Sequence, residues 1–395
     1  MIKRIINKAR NIRDYLVLPS AAKNEHHRDR NYDFSQDPGI ERCVAESIAW
    51  LCRAQENSAT KDGGVARGYS LISGWGASYP ETTGYIVPTI IDYAEQHQDA
   101  ELMQRAKNML DWLVSIQFPE GGFQGGLIDS KPAVPVTFNT GQILLGLSSG
   151  ADKFGEPYMD AMHKAAQWLV NSQDTDGCWR KHPTPFCKPG EKAYETHVAW
   201  GLFEAARVSG EKKYADAALK NVHWALTKQH KNGWFGDCCM TNPSAPVTHT
   251  LAYALRGVLE AYQYTKDITL LESAKLTGEG MLSAITSTGF LPGRLDSGWK
   301  GTVSSACLTG TVQVAHCWLL LYQETKDTRF RDSAYAANRY VRSTVRLDSN
   351  PETRGAVKGS FPISGDYLTY EYPNWAAKFF IDSNILEQKV RTTEL

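Results

Sequence analysis

The stretch QWLVNSQDTDGCW at residues 167–179 shows the pattern on which the chain is built. Similar stretches read WLVSIQFPEGGF at 112–123 and WALTKQHKNGWF at 224–235. In each, an apolar run ends in Gln, and a Gly follows four residues later with an aromatic residue close behind it. A polar loop then leads to a second apolar run that begins near a Thr. The chain is therefore made of repeated units.

The Thr at the start of each second run gives the period of the repeat. It occurs at 83, 140, 196, 250 and 309, in steps of 57, 56, 54 and 59 residues. The first unit has Gln55 with Gly63 and Gly64, the fifth lacks the Gln, and a sixth, weaker unit surrounds Gly355 and residues 372–375. Both runs of a unit have apolar residues at helical spacing and are too long for strands, so each unit is an αα-hairpin.

A single hairpin cannot bury its apolar face, so neighbouring hairpins must stack. Six of them can close into a ring, which predicts an all-α (α/α)6 toroid with an inner and an outer ring of six helices. The second helix of each unit carries fewer charges, and we expect it to be the inner one. The predicted domains are an N-terminal arm at 1–35 and a single toroid at 36–395.

The repeat at 167–179 resembles the QW repeat of squalene cyclases and protein prenyltransferases. Those families share an (α/α)6 toroid with many polysaccharide lyases, sugar epimerases and glycoside hydrolases, so the resemblance implies the fold. Cyclase chemistry is not implied, because the cyclase motif Asp-x-Asp-Asp has only Asp174-Thr175-Asp176-Gly177 as its nearest match. The segment 361–382 resembles proteins encoded among bacterial capsule or exopolysaccharide functions.

The prenyltransferase resemblance also raises the question of zinc, which that family holds with an Asp-x-Cys pair and a His. Here Asp237, Cys239 and His249 are residue types that suit zinc. The family's His comes one repeat later, so the spacing departs from its pattern. We expect no cofactor, with this zinc set as the alternative.

Composition excludes some partners and indicates a compartment. The 43 Lys and Arg balance 43 Asp and Glu, so no overall field attracts nucleic acid, and we expect no nucleic-acid partner. Eight cysteines in 395 residues do not make a disulfide framework. Since no secretory signal is evident at the N-terminus, we interpret them as reduced thiols of a cytoplasmic protein. The sequence leaves the oligomeric state open.

The N-terminal arm is locally basic, with eight Lys and Arg against three acids in residues 1–30. Its apolar residues share one helical stripe: Ile2, Ile5, Ile6, Ile12 and Leu16. Two interpretations remain. Residues 1–16 lie on an anionic inner membrane as an amphipathic helix, or the arm packs against the outside of the ring.

All inner helices of such a ring run in the same direction, so six helix N-termini meet at one end. Their free N–H groups and dipoles favour an anionic ligand there. The helix starts and the loops before them carry many Tyr, His, Asn and acidic residues. The predicted catalytic residues are His249, Tyr253, Tyr85, Glu81, Glu195, Tyr370 and Tyr372. The predicted substrate-binding residues are Asn139, Gln142, His197, Arg180, Trp179, Trp234, Arg294, Asp296, Asn374 and Lys378.

These side chains suit a saccharide, because aromatic rings stack on sugars while amides and carboxylates bind hydroxyls. One chemistry is abstraction of the C5 proton of a uronic acid by Tyr or His, as in polysaccharide lyases and glucuronyl C5-epimerases. The alternative is glycoside hydrolysis by two carboxylates, and a third possibility is a ring that only binds glycan. Tyr and His outnumber acids, which favours the first. Trp179 and Trp234 could instead pack between hairpins.

Overall fold

The computed structural model describes residues 15–34, 36–185, 190–348 and 350–394, and within them thirteen α-helices. Helix α1 (Ser20–Arg30) precedes the ring. The outer helices are α2 (Ile40–Glu56), α4 (Ala100–Ile116), α6 (Tyr158–Ser172), α8 (Lys212–Leu226), α10 (Ile268–Leu282) and α12 (Thr328–Thr344). The inner helices are α3 (Pro80–His97), α5 (Thr137–Phe154), α7 (Thr196–Ser209), α9 (Thr248–Thr265), α11 (Leu308–Thr325) and α13 (Asn374–Thr393).

The inner helices form a closed ring. Helices α3, α5, α7, α9, α11 and α13 each pack on the next in this order, and α13 packs back on α3 and on α2. The chain is therefore an (α/α)6 toroid, which confirms the predicted fold and the predicted inner position of each second helix.

The Gln of the repeat ties each unit to the next. The Gln173 side-chain amide donates to the carbonyl of Gly177 at 3.0 Å and to that of Ala217 on outer helix α8 at 2.9 Å. Gln117 makes the same two bonds, to Gly121 and to Ala161 on α6. The repeat thus recurs because one amide satisfies both its own turn and the neighbouring helix.

The turn glycine explains why the ring can close. Its φ is positive in all six units, at Gly63, Gly121, Gly177, Gly233, Gly289 and Gly355. A Cβ at Gly177 would lie 2.4 Å from the carbonyl oxygen of Lys220 on α8. A Cβ at Gly355 would lie 2.0 Å from that of Glu46 on α2, so the sixth unit meets the first as other neighbours meet. Only Gly permits both the conformation and the approach.

Short strands join the last loop to the first at the rim. Strand β1 (Gly68–Ser70) pairs antiparallel with β2 (Gly74–Trp75) and with β5 (Glu371–Pro373), with Tyr69 opposite Tyr372. Strands β3 (Ala306–Cys307) and β4 (Ser360–Phe361) form a second antiparallel pair.

Helix α1 is held on the loop before α13 by a buried ion cluster. The Lys358 ammonium lies 2.7 Å from a carboxylate oxygen of Glu25 and also bonds Asp29. Asp29 in turn accepts from the Ile363 backbone N–H at 2.6 Å.

Most of the apolar stripe predicted for the N-terminal arm falls in residues 1–14, outside the described residues. In the part of the chain that is described, no helix combines the length and apolar character that a membrane span needs.

Candidate active site

A cavity of about 570 Å³ lies at the end of the ring where the inner helices begin. All six loops between outer and inner helices contribute to its wall. One residue from each, in chain order, is Arg67, Leu127, Thr184, Met240, Arg294 and Tyr367. The loops therefore cover one common mouth, as the ring predicts.

Five of the six inner helices contribute side chains from their first turns or from the two residues just before. The lining includes Tyr79, Glu81, Phe138, Asn139, Tyr194, His249 and Trp375. Since backbone N–H groups at these helix starts have no intrahelical partner, this end of the ring is electrostatically positive.

Glu81 is the buried carboxylate of the cavity wall. The Tyr79 hydroxyl and the Asn139 side-chain amide donate to the same carboxylate oxygen, at 2.9 and 3.0 Å. Burial raises the pKa of Glu81 to about 7, against a lowering by the bond from Tyr79 and the charge of Arg67. Near neutral pH Glu81 is therefore present in both its protonated and its ionised form, as a general acid or base requires.

His249 stands on the opposite wall. Its helix, α9, is three positions from α3 in the ring of six, so His249 faces Glu81 across the cavity. Its Nδ1 lies 2.6 Å from the side-chain oxygen of Gln313. Because an amide oxygen only accepts, Nδ1 carries the hydrogen and Nε2 is the unprotonated nitrogen. Burial lowers the pKa of His249 to about 4, so the ring is neutral at pH 7.

A second histidine repeats this arrangement on the neighbouring helix. His197 Nδ1 lies 2.6 Å from the side-chain oxygen of Gln142, and its Nε2 is buried without a hydrogen-bond partner. Burial lowers the pKa of His197 well below its usual value. The Tyr253 ring lies between the two imidazoles, 4.2 Å from His197 and 4.4 Å from His249 between ring centroids.

Two tyrosines close the floor of the cavity. Tyr85 and Tyr253 lie one helical turn below Glu81 and His249, and the two phenol groups interact with each other across the ring. Burial raises the pKa of both phenols well above 10, so both are neutral. Below them the Lys378 ammonium pairs with Asp382 at 2.5 Å. The cavity therefore ends inside the ring and does not cross it.

Two arginines line the mouth, and each has one carboxylate partner. Arg67 lies 2.5 Å from Glu371 and stacks over the Trp375 ring at 5.4 Å. Arg294 pairs with Asp366 and donates to the carbonyl of Ala245 at 3.0 Å. Together with the helix N-termini, these guanidinium groups favour an anionic ligand.

The structure brings many of the predicted site residues together. Those that line the cavity are Glu81, Tyr85, Asn139, His249, Tyr253 and Arg294. Gln142 and His197 lie directly behind Tyr253 in the arrangement above. The Lys378 side chain lies beneath the floor, 5.5 Å from the Tyr85 ring, where we expect it to support the floor and not to bind substrate.

The structure places four other predicted site residues, in the last repeat and the third, outside the cavity lining. The Tyr370 hydroxyl bonds His26 of α1 at 2.9 Å, and Tyr372 is buried in the strand pair with β1, so neither lines the cavity. The Asn374 amide donates to the carbonyl of Ala66 and the hydroxyl of Thr82, both at 2.8 Å, which makes it structural. Glu195 is buried but also lies outside the cavity lining.

The structure also places four predicted loop residues of units three to five outside the cavity lining. The Trp179 indole donates to the carbonyl of Leu169 at 2.9 Å, and Trp234 is buried against His230, so both pack within their own units and outside the cavity lining. Arg180 forms a surface ion cluster with Asp174, Asp176 and Glu191. Asp296 accepts from the Gly298 and Lys300 backbone N–H groups and so shapes its own turn.

The zinc set is not assembled. The Asp237 carboxylate is exposed and lies 3.1 Å from the Lys228 ammonium, whereas His249 lies in the cavity and bonds Gln313. Among the described residues no group of three or more His, Cys, Asp or Glu is arranged to hold a metal ion. The seven cysteines that the structure describes are free thiols, and Cys187 lies outside the described residues.

Sequence reasoning missed several cavity residues that stand far from any helix start. Arg67 lies next to β1 in the first loop, and Tyr367 and Leu368 lie in the last loop, beside Asp366. One signal was available for Arg67: a basic residue in the loop between the turn glycines and Glu81. Pairing of β1 with β5, which brings the first and last loops together, has no such signal in the repeat.

Glu195 allows the effect of burial on the pKa of a carboxyl group to be tested through the pH dependence of stability. Burial raises the pKa of this carboxyl to about 8, so between pH 4.5 and 8 the folded chain binds one proton more than the unfolded chain. The free energy of unfolding therefore falls as pH rises through this window, by about 5 kcal/mol in total at about 1.4 kcal/mol per unit. We expect Glu195→Gln to remove this slope in urea unfolding measured from pH 5 to 8. The exposed Glu272→Gln variant is the control, and equal slopes in the wild type and Glu195→Gln would contradict the assignment.

Comparisons with known proteins agree with the fold. A scan against protein-family models finds no match, and a search of curated proteins finds none. Among solved structures, an unsaturated glucuronyl hydrolase specific for heparin superposes with a TM-score of 0.72 at 15% identity, covering 89% of this chain and 98% of that one. A sugar epimerase from a ruminal bacterium gives 0.71 at 13% identity, covering 88% and 98%. A D-mannose isomerase gives 0.71 at 12%, covering 89% and 97%. At these identities the likeness establishes a shared (α/α)6 toroid, and the resemblance to QW-repeat families has no family-model support.

Proposed function

We propose that this chain is a saccharide-active enzyme that abstracts the C5 proton of a uronic acid residue, either eliminating its 4-substituent or inverting C5. The observation that carries the proposal is the opposition of Glu81 and His249. At neutral pH a neutral imidazole with an unprotonated Nε2 faces, across the cavity, a carboxyl group whose pKa is about 7. A base and an acid on opposite sides of a ligand suit proton removal from one face of a sugar and delivery to another.

The roles follow from these protonation states. His249 Nε2 takes the C5 proton, and the electron pair moves toward the substrate carboxylate, which gains enolate character. Arg67, Arg294 and the helix N-termini favour that charge. Glu81 then gives its proton either to the oxygen leaving C4, with formation of a C4–C5 double bond, or to the other face of C5. Tyr79 and Asn139 hold the Glu81 carboxyl in place throughout.

The saccharide class has independent support. The solved structures with this fold include proteins described as a glucuronyl hydrolase, a sugar epimerase and a mannose isomerase. Those three proteins differ in reaction, one being a hydrolase, one an epimerase and one an isomerase, and share sugars as their class of substrate. The aromatic wall of Tyr79, Phe138 and Trp375 also suits the apolar faces of a sugar ring.

Glycoside hydrolysis is the second candidate. It is favoured by one observation, since a glutamate with a pKa of about 7 is a competent general acid for a glycosidic oxygen. The other carboxylate in the described lining is Asp366, which is 43% exposed and paired with Arg294. That pairing and exposure make Asp366 a weaker partner for Glu81 than the neutral His249.

The experiment is incubation of the full chain with a panel of uronic-acid oligosaccharides in deuterated buffer. We expect either ultraviolet absorbance from an unsaturated uronate or deuterium at C5 without cleavage. New reducing ends with neither signal would replace the proposal with hydrolysis. Binding measured by calorimetry with no product of any kind would leave a glycan-binding ring instead.

A further inference from the structure

Helix α1 has two faces of opposite character. Its two acids, Glu25 and Asp29, lie one turn apart and are buried against the ring, where Lys358 neutralises them. The charged side chains on its solvent side are basic: Lys23, Arg28 and Arg30. Arg28 lies 3.6 Å from Asp348 and remains 47% exposed. Docking of α1 therefore removes its negative charges and leaves its positive ones in solvent.

Two aliphatic side chains stand beside this basic face. Leu16 is 64% exposed and Val17 is 79% exposed, which makes them the most exposed large apolar residues in the described part of the chain. The Lys23 ammonium donates to the Leu16 carbonyl at 2.8 Å, so the apolar pair is tied directly to the basic helix. An exposed aliphatic pair next to a row of bases is unusual for a surface that faces only water.

We infer that this surface, formed by Leu16, Val17 and the outward side of α1, docks the protein on an anionic lipid bilayer. The positive charge is local to this surface, because the whole chain has equal numbers of acidic and basic residues. In the sequence, five more Lys and Arg precede the surface, at 3, 4, 8, 10 and 13. A basic face alone would suit any polyanion, but the aliphatic pair supplies the second, apolar signal that peripheral membrane binding needs.

The surface is joined to the rim of the cavity. His26 of α1 bonds the Tyr370 hydroxyl at 2.9 Å, and α1 packs through Asp29 on the backbone at Ile363. The segment between these contacts carries Asp366 to Leu368, which line the cavity. Docking through α1 therefore holds the rim segment next to the membrane surface. The inference concerns binding only and does not depend on the proposed chemistry.

The test is cosedimentation of the full chain with vesicles. We expect binding to mixed phosphatidylglycerol and phosphatidylcholine vesicles, no binding to phosphatidylcholine alone, and weakening with added salt. Arg28→Glu with Arg30→Glu should weaken binding at least about twentyfold, at about fivefold for each basic charge lost. Leu16→Ser with Val17→Ser keeps every charge and should also weaken binding, because it removes the inserted apolar area.

The matched control is Lys107→Glu with Lys212→Glu, which makes the same change in charge on the exposed sides of α4 and α8. It should bind the vesicles about as well as the wild type, apart from a small general charge effect. Equal losses in the two charge-reversed variants would overturn the inference, as would a wild-type chain that ignores anionic vesicles. Binding to heparin or DNA as tight as to vesicles, with no effect of the Leu16 and Val17 changes, would overturn it in favour of a general polyanion surface.

Discussion

Glu81→Gln is expected to lower kcat by about 10²–10⁴-fold, the range that loss of a general acid or base typically costs. Glutamine retains an oxygen that accepts from Tyr79 and Asn139, so the wall keeps its shape while losing the exchangeable proton. The measurement is the rate of product formation from the oligosaccharide that the incubation in deuterated buffer identifies as a substrate. Unchanged KM with the lowered kcat would place the effect in the chemical step.

The matched control is Glu195→Gln. Both glutamates are buried and burial raises the pKa of both, but only Glu81 lines the cavity. Glu195→Gln should therefore keep kcat within a few-fold of the wild type. Equal loss in the two variants would mean that the cavity is not the active site.

The same roles predict the pH profile of the wild type. The base must be unprotonated, which holds above the His249 pKa of about 4, and the acid must be protonated, which holds below the Glu81 pKa of about 7. We expect kcat/KM to follow a bell between these values. Glu81→Gln should lose the alkaline limb along with most of its rate. An alkaline limb that persists in Glu81→Gln would assign it to another group.

Lys358→Met is expected to cost about 3–5 kcal/mol of unfolding free energy, the usual result of leaving a buried charge without its partner. The Lys358 side chain is 1% exposed and is the ion-pair partner of Asp29, whose side chain is fully buried. Glu25 keeps Arg346 as a second partner, so the loss falls mainly on Asp29. The measurement is urea unfolding followed by circular dichroism at neutral pH.

The rescuing variant is Lys358→Met with Asp29→Asn. It removes both charges, and the asparagine oxygen still accepts from the Ile363 N–H, so most of the lost stability should return. The exposed Lys107→Met is a further control and should change stability by less than about 0.5 kcal/mol. If the double variant is as unstable as Lys358→Met, the cost comes from packing and not from an uncompensated charge.

The repeat determined the architecture because its recurring positions make the contacts that join each unit to the next. The same residue types therefore recur in the sequence wherever such a contact is made. Gln173 must bond both its own turn and the next outer helix, and Gly177 must adopt a positive φ against that helix. Such residues recur at a fixed period wherever the contact recurs. Gly355 against Glu46 extends the same contact from the last unit to the first, so even closure was implicit in the period.

The starts of the inner helices could also be predicted from the sequence. Glu81, Asn139, His249 and Tyr253 were placed at the cavity on that basis, and they do line it. The positions of side chains in the loops before these helices could not be predicted in the same way. Trp179, Arg180 and Tyr370 have the residue types of a binding site, but contacts with Leu169, Asp176 and His26, respectively, hold them away from the cavity. Residue type does not say which way a loop side chain points.

The sequence by itself therefore determined the ring, its inner and outer helices and the end at which a site must form. Only the tertiary structure decided which side chains face one another, since that depends on contacts between units far apart in the chain. The opposition of Glu81 and His249, and the strand pairing that brings Arg67 beside the last loop, depend on closing the ring. No local sequence pattern predicts which residues of distant units come together, because their relative positions depend on the packing of all six units.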